Sequence, residues 1–151
     1  MPGFYFAYGS NLKFERMSSR VTSARFRARA RLGGWSLTLD KSGRDGSGKA
    51  NLRRQETHHV WGVVYSIDPS HWPRLDTCEP GYSRVEIQVV TEAGDDLDAE
   101  TYVAQVLTND PVAFDWYKEL LLEGAREHAL PDDYVAGLAH LAARPDPRRE
   151  A

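Results

Sequence analysis

Two short segments of the chain combine residue types that can carry out chemistry. In the first, residues 8–12 (YGSNL), an aromatic strand gives way to small residues at a predicted helix start. Backbone N–H groups at such a point are free to bind a carboxylate or an oxyanion. In the second, Glu79 stands before Pro80-Gly81, between a predicted short helix and a strand. A carboxylate held at such a turn can act as a general base. The alternatives are an ordinary strand-to-helix turn for the first segment and an exposed loop glutamate for the second.

A third segment, residues 43–49 (GRDGSGK), nearly matches a phosphate-binding loop. The magnesium-ligating hydroxyl that should follow the lysine is absent, because residue 50 is alanine. Residues 51–54 (NLRR) are typical of a strand and not of the helix whose N-terminus would bind phosphate. The segment therefore predicts a flexible hairpin loop, and we reject nucleotide binding there.

Four arginines alternate with apolar residues over positions 25–32, and this period-two spacing predicts a strand with one wet face. The arginine face could bind nucleic acid or another anionic partner. However, edge-strand arginines also prevent pairing between sheet edges, the chain is acidic overall, and no aromatic residues on that face could stack with bases. We therefore favour a solvated face and expect no nucleic-acid partner. The wet face carries Arg25, Arg27, Arg29 and Arg31, and the buried face carries Phe26, Ala28, Ala30 and Leu32.

The sequence does not predict a metal site. His58 and His59 are adjacent, and neighbouring residues of a strand point to opposite faces, so the two rings would not converge on one ion. A surface pair is the favoured interpretation. Cys78 is the single cysteine, which excludes an intramolecular disulfide and a cysteine-rich zinc site. We expect it to be a partly buried structural residue.

The elements that would position these residues follow from hydrophobic spacing. About six strands, most of them before the helices, indicate an α+β fold, and we expect a small, strongly curved antiparallel or mixed sheet that resembles a barrel. Pro73 is expected to keep the helix after Asp68 short, because a proline inside a helix costs about 3 kcal/mol. Strands are predicted at 4–8, 25–32, 35–39, 59–67, 82–90 and 100–107, and helices at 12–17, from 69, over 114–122 and from 131.

Composition is that of an ordinary globular domain. The 151 residues carry a net charge of −3 and are 41% hydrophobic, and this length fits one domain. We expect a single domain over residues 1–144 and a flexible tail over 145–151. No apolar run approaches the ~18 residues of a membrane span, and the N-terminus lacks the features of a signal peptide. The expected location is therefore the cytoplasm, without a membrane partner.

Four stretches, in order, resemble the gamma-glutamylcyclotransferase-like superfamily, which includes gamma-glutamylamine cyclotransferases and the plant AIG2-like proteins. Residues 5–12 (YFAYGSNL) are similar to its opening signature, and 60–65 (VWGVVY) to its central strand. Leu75-Asp76 with Glu79, Tyr82 and Arg84 resembles its catalytic segment, and 117–131 its C-terminal helix and following turn. One departure is that Pro80-Gly81 leads directly to Tyr82, where the family often has a glycine after the acid and a longer loop.

The resemblance implies a barrel-like α+β fold with flanking helices and an acyltransferase- or lyase-type intramolecular cyclisation. A gamma-glutamyl amino acid, amine or conjugate would give 5-oxoproline, with Glu79 as general base and then general acid. The resemblance implies no cofactor and no metal, a small gamma-glutamyl molecule as the partner, and leaves a homodimer open. The alternatives are a catalytically silent binding member of the fold and an anion- or nucleic-acid-binding module that uses Arg25–Arg31. The implied substrate-binding residues are Tyr8, Gly9, Ser10, Asn11, Leu12, Tyr82 and Tyr117.

Overall fold

Aromatic and β-branched runs form a closed five-stranded barrel in the computed structural model of the chain, which describes residues 1–149. Around the barrel the strand order is β1-β3-β2-β4-β5, and every neighbouring pair is antiparallel except β1 with β5. This arrangement confirms the predicted α+β fold with a curved mixed sheet. The strands are β1 (Gly3–Ala7), β2 (Arg25–Ser42), β3 (Gly48–Ile67), β4 (Tyr82–Thr91) and β5 (Asp96–Ala104).

Helices flank the barrel, and two short strands near the C-terminus, β6 (Ala113–Phe114) and β7 (Ala143–Arg144), pair in parallel. Asp68 caps a 3-10 turn before α2, because its carboxylate accepts a hydrogen bond from the backbone N–H of Ser70 at 3.0 Å. Among residues 1–149, no helix has the length and apolar character needed to cross a membrane. The helices are α1 (Phe14–Arg20), α2 (Trp72–Cys78), α3 (Asp115–Glu127) and α4 (Asp132–Ala139).

The strand that we expected to end at Gly33 continues through it. β2 runs for 18 residues and pairs with β3 on both sides of a register shift between Gly33 and Trp35. Gly34 adopts a φ of +84° there, a conformation that glycine reaches without steric cost. The two glycines therefore form a bulge that bends one long strand, and the prediction of two separate strands was wrong.

A second bulge changes the face on which Phe26 lies. The pairing of β2 with β3 shifts between Phe26 and Ala28, so strict alternation fails at that point. Phe26 is 51% exposed and stacks on His128, which corrects its predicted place on the buried face. Arg27 and Arg31 are exposed, as the arginine face requires.

The expected helix over residues 12–17, capped by Ser10 or Asn11, takes a different form. A 3-10 turn covers Ser10–Leu12, and α1 begins only at Phe14, whose N–H donates to Glu127 Oε2 at 2.8 Å; neither Gly9 nor Lys13 caps its helix with a side chain. The Asn11 side chain is buried and is engaged with distant residues. A long-range contact therefore replaces the predicted local capping.

The C-terminal residues of the described chain contact α3. Asp146 is buried and accepts a hydrogen bond from Trp116 Nε1 at 2.8 Å. Arg148 forms an ion pair with the same carboxylate at 2.9 Å and holds the pKa of Asp146 well below its ordinary value. Residues 150 and 151, which also belong to the expected tail, lie outside the described residues.

Candidate active site

Glu79 lies where the chain leaves α2 and turns into β4. Its backbone N–H donates to the carbonyl of Asp76 and closes the helix. Gly81 then takes a φ of +83°, so the reversal into Tyr82 needs a residue without a Cβ atom. The Glu79 side chain is only 15% exposed. The carboxylate is thus buried at the end of the barrel, and not on a loop in solvent.

Asn11 holds this carboxylate through its side chain. Its Nδ2 donates to Glu79 Oε1 at 2.8 Å and to the Tyr5 hydroxyl oxygen at 3.0 Å, which uses both amide hydrogens. Its Oδ1 accepts from Arg20 at 3.2 Å, and Arg20 also reaches Glu79 Oε1 at 3.3 Å. Sequence reasoning chose Asn11 for its backbone and missed this role, and it missed Arg20 entirely.

Burial governs the charge state of Glu79. Desolvation raises the pKa of its carboxyl above the ordinary 4.5, against the opposing effects of Arg20, Asn11, Arg16 and Lys41. A carboxylate with a raised pKa is a stronger base than an exposed one. A perturbed carboxyl group in a cleft is typical of a catalytic site.

Tyr8, Tyr82 and Tyr117 line a small chamber of about 20 Å³ beside Glu79, together with Tyr102, Gly9 and Ser10. Tyr8 donates its hydroxyl hydrogen to the carbonyl of Tyr102, and Tyr82 donates to the carbonyl of Ala50, each at 2.6 Å. Tyr117 instead accepts from the backbone N–H of Ala50 at 2.9 Å. The Tyr117 hydroxyl therefore keeps its own hydrogen for another acceptor. Burial raises the pKa of all three phenols, so each stays protonated at neutral pH.

The turn at residues 9–11 borders the chamber through Gly9 and Ser10. The N–H groups of Gly9, Ser10 and Asn11 donate to no acceptor within residues 1–149, whereas the N–H of Leu12 donates to the carbonyl of Gly9 at 3.0 Å. Leu12 is fully buried, and its carbonyl accepts from Tyr65 at 2.7 Å. Leu12 thus packs beneath the turn and does not line the chamber. The other predicted substrate-binding residues line the chamber beside Glu79 or, like Asn11, contact the Glu79 carboxylate: Tyr8, Gly9, Ser10, Asn11, Tyr82 and Tyr117.

The chamber opens into a wider cleft of about 410 Å³ that shares Ser10, Glu79, Tyr82 and Tyr117 with it. Four of the seven residues of the loop that resembles a phosphate-binding motif line one wall of this cleft: Gly43, Arg44, Asp45 and Lys49. β3 begins at Gly48, so residues 51–54 form a strand, as predicted. The sequence carried no local signal for the other cationic residues of the cleft, Arg16, Arg20, Lys41 and Arg148.

The remaining candidates lie apart from this site. The four arginines of the predicted wet face do not line the chamber or the cleft. His58 and His59 are exposed, and within residues 1–149 no cluster of three or more His, Cys, Asp or Glu side chains is arranged to hold a metal ion. Cys78 is partly buried and borders the cleft.

The chain is similar to proteins of one family. Residues 59–138 match the model of the AIG2-like family. The gamma-glutamylcyclotransferases of Homo sapiens and Mus musculus are 33% and 34% identical over 139 residues, which is 86% of this chain and 73% of each relative. A solved structure named gamma-glutamyl cyclotransferase superposes with a TM-score of 0.89 at 29% identity, and the match covers 100% of this chain and 93% of that one.

Proposed function

The chain belongs to the AIG2-like, or gamma-glutamylcyclotransferase-like, family, and on that premise we propose that it is a gamma-glutamyl cyclotransferase. The reaction converts a gamma-glutamyl compound into 5-oxoproline and releases the amine or amino acid that was joined to the γ-carbonyl. One observation carries the proposal: a buried Glu79 carboxylate, held by Asn11 and Arg20, adjoins a chamber with backbone and phenolic donors.

Glu79 moves the proton that the reaction requires. The substrate's α-amino group is an ammonium ion at neutral pH and must lose a proton before its nitrogen attacks the γ-carbonyl. Glu79 accepts that proton as a general base and later delivers one to the departing nitrogen as a general acid. A raised pKa suits both steps, because the carboxylate is more basic than an exposed glutamate and its protonated form is more accessible near neutral pH.

The donors of the chamber hold the glutamyl half of the substrate. The N–H groups of Gly9, Ser10 and Asn11 bind its α-carboxylate, and the hydroxyl hydrogen of Tyr117 is donated to the oxygen of the γ-carbonyl as negative charge develops there. Tyr82 and Tyr8 wall the chamber, which at about 20 Å³ receives the carboxylate end of the glutamyl chain, and the rest of the chain folds where the chamber opens into the cleft. These assignments rest on the unused donors at the turn and at Tyr117.

The nucleophile and the electrophile belong to the same substrate molecule. The protein therefore needs no nucleophile of its own, and Cys78 has no part in the reaction. Holding the amino group against the γ-carbonyl removes most of the rotational freedom that opposes ring closure, and such positioning supplies a large share of the acceleration. The proposed chemistry also requires no metal ion or organic cofactor.

The test is direct. The protein is incubated with a panel of gamma-glutamyl amino acids, amines and conjugates, and 5-oxoproline is measured by mass spectrometry. We expect product with at least one class of substrate, and a rate about 10²–10⁴-fold lower with Glu79→Gln. Glu86→Gln is the matched control, because it makes the same chemical change at an exposed residue of β4.

Two results would contradict the assignment. Tight binding without any product would favour the catalytically silent member of the fold. Product formation by Glu79→Gln at more than about a tenth of the wild-type rate would place the base elsewhere.

A further inference from the structure

The cleft outside the chamber is strongly cationic although the chain carries a net charge of −3. Within residues 1–149, two carboxylates line it, those of Asp45 and Glu79. A concave surface with an excess of one charge raises the local concentration of ligands of opposite charge. The cationic side chains that line it are Arg16, Arg20, Lys41, Arg44, Lys49 and Arg148.

Half of these cations are neutralised by the protein. Lys49 and Arg148 pair with Asp45 at 3.1 Å and 3.3 Å, and Arg20 pairs with Glu79 at 3.3 Å. Arg16, Lys41 and Arg44 form no ion pair within residues 1–149. Three positive charges of the cleft are thus left for a ligand.

Lys41 is the most informative of the three. Its side chain is almost fully buried, with 8% of the residue exposed, and within residues 1–149 its ammonium group has neither a hydrogen-bond acceptor nor a carboxylate partner. The ammonium lies 5.2 Å from the centre of the Tyr82 ring. Gly81 packs so closely that a Cβ atom there would stand 3.0 Å from Lys41 Cε. A charge on a side chain so largely removed from water is unfavourable without a partner, and an anion in the cleft, which Lys41 lines, would supply one.

Arg16 points to the same conclusion independently. Its Nε is buried and donates to no acceptor within residues 1–149, although buried donors are nearly always paired. Burial and the charge of Arg20 both lower the pKa of Arg16. A guanidinium presents a planar fork of donors that matches a carboxylate or a phosphate. Arg16 and Lys41 thus offer two cationic groups, on α1 and β2, to one cleft.

We propose that the cleft binds the leaving half of the substrate through Arg16 and Lys41, and that this half carries two negative charges. The inference rests on the proposed function, in which the α-carboxylate of the glutamyl half is held by the turn of residues 9–11 at the inner chamber. The leaving half must then extend into the cleft, where the unpaired cations are. An amine with two anionic groups, either a dicarboxylic amino acid or a phosphate monoester, satisfies both.

A series of substrates that differ in charge tests the proposal. The leaving half is uncharged in gamma-glutamylethylamide and singly charged in gamma-glutamylalanine. It carries two carboxylates in gamma-glutamylaspartate and a phosphate in gamma-glutamylphosphoethanolamine. We expect kcat/KM to rise about tenfold with each negative charge, within the range of a hydrogen bond to a charged group. The ratio between the last two compounds distinguishes carboxylate from phosphate recognition, and either preference supports the proposal.

Variants locate the effect. Lys41→Gln and Arg16→Gln should each reduce the preference for the doubly charged compounds over the uncharged one by about 10–100-fold. Arg27→Gln removes a positive charge from the exposed beginning of β2 and should leave the preference intact. Circular dichroism establishes that each variant is folded. Arg16, which is less buried than Lys41, carries the test alone if Lys41→Gln does not fold.

Binding separates this inference from the proposed function. Calorimetry with the Glu79→Gln protein measures the affinity of the four compounds without turnover. If affinity rises with the negative charge of the leaving half but wild-type protein forms no 5-oxoproline, the result supports the anion site and refutes the cyclotransferase activity. Two results would overturn the anion-site inference and leave the cyclotransferase standing as proposed. One is turnover in which kcat/KM and affinity do not depend on the charge of the leaving half. The other is a preference for doubly charged substrates that is unchanged in both Lys41→Gln and Arg16→Gln. Neither binding nor turnover with any compound would overturn both.

Discussion

Replacing Asn11 with alanine tests whether its side chain sets the basicity of Glu79. The change removes the donor that lies 2.8 Å from Glu79 Oε1, and that hydrogen bond stabilises the ionised carboxylate. A hydrogen bond to a charged group contributes about 1.5–3 kcal/mol, and one pKa unit corresponds to about 1.36 kcal/mol. Loss of the bond should therefore raise the pKa of Glu79 by roughly 1–2 units, above a value that burial has already raised.

The sign of the effect on catalysis follows from the role of the base. Glu79 must be ionised to accept a proton, so kcat/KM rises with pH through the pKa of this group in the free enzyme. In the wild type we expect this acidic limb above pH 4.5, and in Asn11→Ala we expect it about 1–2 units higher. Activity should thus be lost most strongly at low pH and partly recovered as the pH increases.

The assay is the pH profile of kcat/KM for 5-oxoproline formation, measured for the wild type, Asn11→Ala and a control. Asn109→Ala is the matched control, because it makes the same substitution at an exposed residue and should leave the profile unchanged. Asn11→Ala also leaves the hydroxyl of Tyr5 without its donor, so circular dichroism must show that the variant is folded. An acidic limb that stays in place, or moves to lower pH, would refute the positioning role of Asn11.

Three further predictions concern the chamber. Glu79→Gln should lower kcat by about 10²–10⁴-fold with the circular dichroism spectrum unchanged, and retention of more than about a tenth of wild-type kcat would contradict its role. Gly9→Val should reduce kcat/KM by orders of magnitude, because a Cβ atom there stands 3.2 Å from Ala50 Cβ and 3.7 Å from the Tyr117 hydroxyl. Ser10→Ala should change kcat/KM and stability little, since Ser10 does not cap a helix. Equal kinetics for the two variants would mean that the turn does not bind substrate. Tyr117→Phe should lower kcat about 100-fold, the effect of one lost oxyanion donor. It should also lower the free energy of unfolding by about 1–3 kcal/mol, because the N–H of Ala50 loses its acceptor. Steady-state kinetics and denaturant titration measure the two effects, and a loss of stability with unchanged kcat would assign Tyr117 a structural role only.

Local patterns predicted the elements that carry the site better than they predicted its contacts. The alternation over β4 and β5 and the turn after α2 reflect backbone preferences that neighbouring residues determine. The bulges at Phe26 and Gly34 depend instead on the register of β2 against β3. A register shift moves a side chain to the other face without any change in local sequence. Hydrophobic periodicity in the sequence therefore could not predict that Phe26 is exposed or that β2 is continuous.

The sequence by itself determined the fold class, the family and the acid at the turn after α2, because strand alternation and the motif around Glu79 are contained in short segments. Only the tertiary structure decided how Glu79 is held and what surrounds it. Asn11 reaches it across 68 positions of the chain, and Arg16 and Lys41 meet at one cleft from α1 and β2. Such contacts arise when the barrel closes and the helices pack on it, and that geometry is the sum of many distant interactions that no local pattern encodes.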